Sequence, residues 1–291
     1  MQNPLVTIAI PAYKSAYLSA AIRSALAQDY QNIELIVVDD CSPEDIKSVV
    51  SSFKNPRIRY VRNNVNLGSE SVANNWNRCL DLAQGEYFVL LCDDDVLHPD
   101  MISSMLALAE AHPECGIFHA NRTILKKSGE LHDDDYWPAV ESAEDFINAK
   151  FEGKRKHTIT EFFYKTDFIR SERYAVFPVG YYSDDVTVLK LCMRQRKIIS
   201  SNKPLVIFRE SDIHITGSDK YNESKIRAFI QYYDYLQSCP TLANKISPTG
   251  YECILSQYLT HCNRKDILRL VTVLPHSKTM LKTILYLFFK R

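Results

Sequence analysis

The chain has 291 residues, of which 46% are hydrophobic and 24% charged, a composition that indicates a folded globular protein and excludes a disordered one. Lysine plus arginine and aspartate plus glutamate each number 35, so the basic excess of a general nucleic-acid binder is missing and we expect no nucleic-acid partner. The eight cysteines form no Cys-x-x-Cys pair and no zinc-ligand spacing, so we expect reduced thiols in a cytoplasmic protein.

The first 112 residues alternate between short apolar runs rich in branched residues and segments whose apolar residues recur at helical spacing. Ser15 and Ser42 stand where the N-caps of the first two helices are expected, and Pro43 suits a first helical position. This alternation predicts an α/β fold with a mostly parallel sheet flanked by helices. In chain order, the predicted elements are strand Leu5–Ile10, helix Ser15–Gln28, strand Ile33–Val38, helix Pro43–Phe53, strand Arg57–Arg62, helix Ser69–Ala83, strand Tyr87–Leu91 and helix Pro99–His112.

The pattern is looser after residue 112, and the last part of the chain is helical. We divide the chain into a domain of residues 1–218, with halves at 1–112 and 113–218, and a C-terminal helical extension at 219–291. In the second half the predicted elements are strand Cys115–Ala120, hairpin Arg122–Leu131, helix Ser142–Lys150, strand Thr158–Tyr164, helix Val186–Gln195 and strand Leu205–Arg209. The predicted C-terminal helices are Glu223–Gln237, Thr249–Cys262, Lys265–Val273 and Ser277–Phe289.

Polar or special residues directly follow four of the first strands, at Pro11–Tyr13, Asp39–Asp40, Asn63–Gly68 and Asp93–Asp95. In parallel α/β sheets, ligands bind outside the carboxyl ends of the strands, so these segments are expected to converge on one crevice. The triplet Asp93–Asp95 follows the apolar run Tyr87–Leu91, and carboxylates clustered at the rim of a core need a compensating cation. Mg²⁺ or Mn²⁺ with phosphate oxygens suits them, because hard cations take oxygen ligands.

Five segments of the first hundred residues, in this order and spacing, resemble family 2 glycosyltransferases of the GT-A fold. They are Thr7–Tyr13, Ser24–Gln28, Glu34–Ser42, Gly85–Tyr87, and Asp93–Asp95 with Pro99-Asp100. The resemblance, which is weaker up to residue 218, implies a GT-A, Rossmann-like fold and a metal-dependent, hexosyltransferase-like enzyme. Such an enzyme moves a sugar with inversion from a nucleotide-diphosphate donor, here expected to be a UDP-sugar. The implied acceptor is a hydroxyl of a glycan or a lipid-linked glycan in surface polysaccharide synthesis.

The resemblance places the nucleotide beside the first three strands. One of Asp39 and Asp40 would accept from the base and sugar of the nucleotide, and the resemblance points to Asp40 for the base. Tyr13, at the mouth of the first strand, would stack on the base, as aromatic faces do. The residues alone also allow an acidic pair that favours a helix N-terminus, and a Tyr13 that packs on the core. The predicted nucleotide-binding residues are Pro11, Tyr13, Asp39, Asp40, Asn66, Gly68 and Asp93.

By the same resemblance, Asp93 faces the ribose and the metal, and Asp94 or Asp95 ligates the metal, Mg²⁺ or Mn²⁺. Many relatives read Asp-x-Asp-Asp, and the first Asp of that pattern would fall on Cys92. A variant that begins directly with Asp-Asp also occurs, and this chain matches it, so the choice of ligand among the three carboxylates stays open. A second triplet, Asp133–Asp135, follows no buried strand and is interpreted as a solvated loop.

Inverting transfer to a hydroxyl needs a carboxylate that takes the proton of the acceptor. Asp184-Asp185 resembles the Glu-Asp pair of the family, with Asp185 at the position of the base, and a plain helix cap by Ser183 or Asp184 is the alternative. His214 lies where the family often has a basic or His-containing loop that closes on the diphosphate, so it is a candidate for the diphosphate or the metal. A structural histidine is the alternative, with Lys220 or Arg209 as the partner of the phosphate. Trp137 is expected either to touch the acceptor or to pack in the core.

Two other functions stay open. A nucleotidyltransferase would usually have a Gly-rich basic loop after the first strand, whereas residues 11–15 contain no glycine. A non-catalytic sugar-nucleotide-binding subunit would not need carboxylates at both 93–95 and 184–185.

The C-terminal segment 279–291 is apolar and ends in Lys290-Arg291, which fits either a last docked helix or a peripheral membrane anchor. No stretch reaches the ~20 apolar residues of a membrane span. We therefore expect a cytoplasmic protein, located at the inner face of the membrane if the segment is an anchor.

Overall fold

The computed structural model describes residues 3–134, 136–211 and 221–240. His214, the helices predicted from Thr249 onward and the C-terminal segment 279–291, predicted as a docked helix or a membrane anchor, lie outside these residues. Within the described part of the chain, no helix has the length and apolarity needed to cross a bilayer.

The described residues form strands and helices close to those that the sequence predicts. The strands are β1 (Val6–Ala12), β2 (Ile33–Asp39), β3 (Ile58–Arg62), β4 (Tyr87–Leu90), β5 (Val96–Leu97), β6 (Ile117–Leu125), β7 (Leu131–Asp133), β8 (Val140–Ser142), β9 (Phe162–Lys165) and β10 (Lys197–Arg209). The helices are α1 (Leu18–Leu26), α2 (Ile46–Ser51), α3 (Val72–Leu82), α4 (Met101–Ala111), α5 (Ala143–Phe151), α6 (Thr166–Glu172), α7 (Ser183–Gln195) and α8 (Asn222–Ser238).

These strands belong to one mixed sheet in the order β3-β2-β1-β4-β9-β6-β10-β5, with β7 on β6 and β8 on β10. The strands β3, β2, β1 and β4 run parallel, and β9 is antiparallel to both of its neighbours, β4 and β6. β10 then lies parallel to β6. The predicted α/β fold with a mostly parallel sheet is confirmed, and the carboxyl ends of β1, β2 and β4 meet at one edge.

Strand alternation explains why helices cover both faces of the sheet. Successive side chains of a strand point to opposite faces, and a buried parallel strand is therefore apolar at every position. In β2, Leu35 and Val37 pack with α1, α2 and α4 on one face. Ile36 and Val38 pack with α3 and α7 on the other face. The helices thus form two outer layers around a sheet that is buried on both sides.

The first two helices begin later than the sequence predicts. α1 begins at Leu18 and has no side-chain cap, so the N-cap predicted at Ser15 is wrong. The backbone amide and hydroxyl of Ser15 instead donate to Glu44 Oε2 at 2.6 and 2.5 Å. α2 begins at Ile46, where Asp45 accepts from the amide of Ser48 at 3.0 Å, so the expected cap at Ser42 is also wrong. The side chains of both serines tie the loops after β1 and β2 together, because Ser42 Oγ donates to the carbonyl of Tyr13 at 2.6 Å.

β10 is longer than the strand predicted at Leu205–Arg209, since it begins at Lys197. Polar residues at 200–203 hide this extension from a reading of apolar periodicity. The strand absorbs them through register shifts around Pro204 against β6. Its last residues pair with β5 next to the acidic loop after β4, which brings Arg209 to that loop.

Candidate active site

Asp93 joins the loop after β4 to the loop after β1. Its Oδ2 atom accepts hydrogen bonds from the backbone amides of Tyr13 and Lys14, each at 2.9 Å. Burial, and next the charge of Asp94, raise the pKa of Asp93 to about 6. The Tyr13 ring stays 39% exposed at the mouth of β1 and is available to stack on a planar group.

Asp39 is fully buried and connects β2 to β3. Its Oδ1 atom accepts from the amide of Ser42 at 2.8 Å, and its Oδ2 atom accepts from the hydroxyl of Tyr60 at 2.6 Å. The guanidinium group of Arg62 pairs with the same Oδ2 atom. Burial, followed by the hydrogen bond to Asp39, raises the pKa of Tyr60 to about 12. These bonds give Asp39 a role in the fold, and its contact with a nucleotide stays a prediction.

Asp40 organises the loop after β3. Its Oδ1 atom accepts from Asn63 Nδ2 at 2.8 Å and from the amide of Leu67 at 2.9 Å, while its Oδ2 atom accepts from the amide of Gly68 at 2.7 Å. A Cβ atom on Gly68 would lie 2.8 Å from that same Oδ2 atom, so the close approach requires glycine. Asn66, half-buried, lies in this loop. The predicted residues Asp40, Asn66 and Gly68 therefore share one structural unit.

The acidic loop after β4 places three ligand atoms within 4.8 Å of one another, on Cys92, Asp94 and Asp95. Asp95 is buried, where its Oδ2 atom accepts from Thr160 Oγ1 at 2.8 Å and its Oδ1 atom accepts from the amide of Arg209 at 3.2 Å. Burial, and next the charges of the neighbouring carboxylates, raise the pKa of Cys92 well above its ordinary value. A protonated thiol is a poor ligand for a hard cation, so the two carboxylates are the donors that fit Mg²⁺ or Mn²⁺.

Arg209 adds a cation beside this loop. Its Nε atom donates to the carbonyl oxygen of Asp94 at 3.0 Å, and its guanidinium lies 4.4 Å from the centre of the Tyr17 ring. A guanidinium held in this way can also meet a phosphate oxygen. From the sequence, Arg209 is an alternative to His214 as the partner of the phosphate, and its hydrogen bond to Asp94 places it beside the acidic loop.

Asp185 lies in the first turn of α7, next to Asp184. The residue at the N-cap position is Tyr182, and it makes no side-chain capping hydrogen bond. Asp185 Oδ1 pairs with the ammonium group of Lys150 on α5 and lies 3.6 Å from Nε2 of His157. Burial, and next the charge of Asp185, raise the pKa of Asp184 to about 7. A carboxylate that has one cationic partner and is 20% exposed can accept a proton from a bound hydroxyl.

The turn before α7 contacts the loop that Asp40 organises. The amide of Val179 donates to the carbonyl of Glu70 at 2.6 Å, and Gly180 lies so close to Val72 that a Cβ atom would come within 2.3 Å of it. Val179 has a positive φ angle of 51°, which is strained for a β-branched residue, and such strain often marks functional segments. Gly180, at 78°, adopts a positive φ without strain. The predicted base is therefore tied through its own loop to the predicted nucleotide half.

Behind Asp185 lies a buried polar cluster that the sequence did not predict. His119 Nε2 lies 3.0 Å from Glu161 Oε2, and Arg122 donates to Glu161 at 2.7 Å and to Asp134 at 2.6 Å. Asp134 is thus an ion-pair partner, so the interpretation of the second triplet as a solvated loop is wrong for this residue. Trp137 is buried and stacks on the His119 ring at 3.7 Å, which supports packing over contact with an acceptor.

A model of the glycosyl transferase family 2 matches residues 7–164, slightly more than half of the chain. Among curated proteins, WcaA of Escherichia coli K12, named for colanic acid biosynthesis, is 42% identical over 133 residues, which are 45% of this chain and 46% of WcaA. A GalNAc(5)-diNAcBac-PP-undecaprenol beta-1,3-glucosyltransferase of Campylobacter jejuni is 28% identical over 84% of this chain and 75% of its own length. The chain spans about half the length of the first of these relatives.

Two solved structures have the same fold. TarS of S. aureus in complex with UDP-GlcNAc has a TM-score of 0.61 and 13% identity, over 91% of this chain and 83% of that one. The mannosyltransferase PcManGT of Pyrobaculum calidifontis, in complex with GDP-Man and Mn²⁺, has a TM-score of 0.58 and 17% identity, over 94% and 76%. The sheet and its flanking helices accordingly have the fold of GT-A glycosyltransferases. From the family model and these likenesses together, the chain belongs to glycosyl transferase family 2.

Proposed function

We propose that the chain transfers a sugar, with inversion, from a UDP-linked donor to a hydroxyl of a glycan or lipid-linked acceptor in surface polysaccharide synthesis. The observation that carries the proposal is the double hydrogen bond from the loop of Tyr13 to Asp93, which brings the exposed ring and the acidic loop to one crevice. The same crevice continues through the loop of Gly68 to the turn before Asp185.

Relatives support the chemical class of donor and acceptor. WcaA is named for colanic acid biosynthesis, and the Campylobacter relative is named for glucosyl transfer to an undecaprenol-linked glycan. A second Escherichia coli relative, WfaP, is named for use of UDP-Glc and a diphosphoundecaprenol acceptor, with 36% identity over 107 residues. We infer a UDP-hexose as the donor and a lipid-linked glycan as the acceptor.

The nucleotide would lie between the Tyr13 ring and the loop that Asp40 organises, with the ribose next to Asp93. Asp94 and Asp95 would hold Mg²⁺ or Mn²⁺, which supplies a positive charge that stabilises the leaving diphosphate. Arg209 lies beside the same loop and is placed to pair with a phosphate oxygen.

Asp185 is proposed as the base of a single displacement. The acceptor oxygen forms a bond to the anomeric carbon while the bond from that carbon to the donor phosphate oxygen breaks. The electron pair of the broken bond leaves with the nucleoside diphosphate, and the proton of the acceptor hydroxyl passes to Asp185. Attack from the face opposite the leaving group inverts the anomeric configuration.

A nucleotidyltransferase is disfavoured by the family match and by residues 11–15, at the end of β1 and in the loop after it, which contain no glycine. A non-catalytic subunit would have no need for the carboxylate of Asp185 beside a lysine. Peripheral membrane contact through residues 279–291, at the inner face of the membrane, remains part of the proposal. Its test is sedimentation of the full chain with anionic vesicles.

A thermal-shift screen of UDP-, GDP- and dTDP-sugars, each with and without Mn²⁺, tests the donor. A ligand at 100 times its Kd stabilises the folded state by about 2.7 kcal/mol, so a UDP-sugar with Mn²⁺ should give the largest shift. The D185N variant should show the same shift but lose about 100-fold or more in transfer. The absence of a shift with every nucleotide sugar would contradict the proposed donor class, and full transfer by D185N would contradict the proposed base.

A further inference from the structure

Lys150 lies on α5, which packs against α7, and it is 35 residues away in sequence from the carboxylate that it contacts. Its ammonium group pairs with Asp185 Oδ1, and the two side chains are only 12% and 20% exposed. A lysine that is removed from water in this way loses hydration, and such pairs contribute little net stability. Folding alone therefore gives a weak reason for this pair.

The other groups that face Asp185 do not supply a positive charge. Asp184 on the same helix is acidic and in turn faces Tyr164. His157, 1% exposed, places Nε2 3.6 Å from Asp185 Oδ1, and neither of its ring nitrogens has a hydrogen-bond partner. Burial, and next the charge of Lys150, hold the pKa of His157 well below its ordinary value, so the ring is neutral near pH 7.

The other cationic and imidazole groups near His157, on Arg122 and His119, lie against other carboxylates. Arg122 pairs with Glu161 and Asp134, and His119 lies against Glu161. The aromatic rings of Trp137 and Phe162 pack edge-on against His157 and close this side of the pocket. Among the described residues that face the Asp184–Asp185 pair, the positive charge therefore comes from Lys150.

We propose that Lys150 is a positioning residue for the transfer reaction, whose ammonium group orients the Asp185 carboxylate and supplies the positive charge that faces the Asp184–Asp185 pair. This inference rests on the proposed role of Asp185 as the base. Two carboxylates in adjacent positions repel each other, and an opposite charge within ~4–6 Å favours their ionised forms. The negative charge of Asp185 raises the pKa of Asp184, and Lys150 lowers it.

The loss of the ammonium group therefore has two consequences. Asp184, whose pKa Lys150 lowers, binds a proton more readily, so its titration moves to higher pH. The carboxylate of Asp185 also loses the bond that fixes its rotamer, and misplaced catalytic groups reduce turnover more than they reduce ground-state binding. We expect donor affinity to be unchanged, because among the described residues Lys150 forms its ion pair with Asp185, outside the predicted nucleotide site.

The test compares K150M, K150R and the control variant K154M, each with Mn²⁺ and UDP-glucose. Lys154 lies four residues after Lys150 in the sequence, is 67% exposed and pairs with Glu152. UDP release into water, with water in place of the acceptor hydroxyl, gives kcat, KM and their pH dependence. We expect K150M to lose about 10- to 100-fold in kcat with KM unchanged. The acidic limb of its plot of kcat against pH should move to higher pH. K150R should recover part of the rate, and K154M should behave as the wild type.

A second measurement does not depend on the donor. In the full chain labelled with ¹³C-aspartate, D184N and D185N assign the two carboxyl signals, and the Asp184 signal of K150M should titrate at higher pH than that of the wild type. An unchanged titration, or a kcat of K150M equal to or above that of the wild type, overturns the inference. Loss of activity in D185N together with a wild-type profile in K150M contradicts the role of Lys150 alone. Full activity in D185N contradicts the proposed base and the inference with it.

Discussion

Asp93 Oδ2 accepts the backbone amide of Tyr13 at 2.9 Å, across 80 residues of sequence. The same oxygen accepts the amide of Lys14, so one carboxylate at the end of β4 holds the backbone that follows β1. Hydrogen bonds to an ionised acceptor are about twice as strong as neutral ones. The orientation of the Tyr13 ring, and with it the proposed stacking on the base, therefore depends on Asp93.

We predict that D93A weakens UDP binding by about 10-fold or more and lowers the free energy of unfolding by about 2 kcal/mol, since two charged hydrogen bonds are lost. D93N keeps an acceptor oxygen and should retain most of the stability. Isothermal titration with UDP and Mn²⁺, together with urea unfolding, separates the two effects. Equal stability of D93A and the wild type would show that the loop is held by other contacts.

We predict that G68A weakens UDP binding and lowers the free energy of unfolding by about 1–2 kcal/mol. The new methyl group would lie 2.8 Å from Asp40 Oδ2, so the hydrogen bond from the amide of residue 68 to Asp40 must lengthen. The control is S69A, which changes an exposed neighbour in the same turn. If the two variants bind UDP equally, the close approach to Asp40 has no role in the nucleotide site.

Local sequence patterns predict the secondary structure and the fold, whereas contacts between residues that are distant in the sequence cannot be predicted from them. The apolar runs of β1, β2 and β4 and the carboxylates that follow them are local patterns, and the fold and the meeting of the loops after β1 and β4 could be predicted from them. Lys150 beside Asp185 could not, because their contact depends on how α5 packs on α7 and has no periodic signal. The cap predicted at Ser15 is wrong for the same reason, since the distant Glu44 takes its hydrogen bonds.

We predict that H157F reduces the loss of unfolding free energy that occurs as the pH falls. His157 is held neutral in the native state, with its pKa well below the ordinary 6.5, whereas the unfolded chain binds a proton near that value. A group whose pKa is depressed by burial therefore favours unfolding as the pH falls below about 6.5. Urea unfolding of both proteins from about pH 7.5 to about pH 4.5 should show that the free energy of unfolding falls more steeply in the wild type. Parallel curves would mean that His157 is charged in the folded protein.

We predict that the contribution of Asp184 to stability has the opposite pH dependence. Its pKa is raised from 3.8 to about 7, so the native protein keeps a proton that the unfolded chain releases between these values. The contribution of Asp184 to stability is therefore complete below pH 3.8 and is lost as the pH rises to about 7. D184N, which is neutral throughout, removes this dependence, and the difference in unfolding free energy between variant and wild type should change in the variant's favour as the pH rises. A difference that is constant with pH would contradict the raised pKa.

Asp94 and Asp95 are expected to differ, although both are proposed metal ligands. Asp95 is 1% exposed and accepts from Thr160 and from the amide of Arg209, so D95A should lose stability as well as metal binding. Asp94 is less buried, and D94A should lose the Mn²⁺-dependent thermal shift with UDP at a smaller cost in stability.

D133N, in the second acidic triplet, is the matched control because Asp133 is exposed at the end of β7. Measurement of Tm with UDP, with and without Mn²⁺ or EDTA, distinguishes the three. If D94A keeps the Mn²⁺-dependent shift, Asp95 or Asp93 is the principal ligand, and if D133N loses that shift, the acidic loop after β4 is not the metal site.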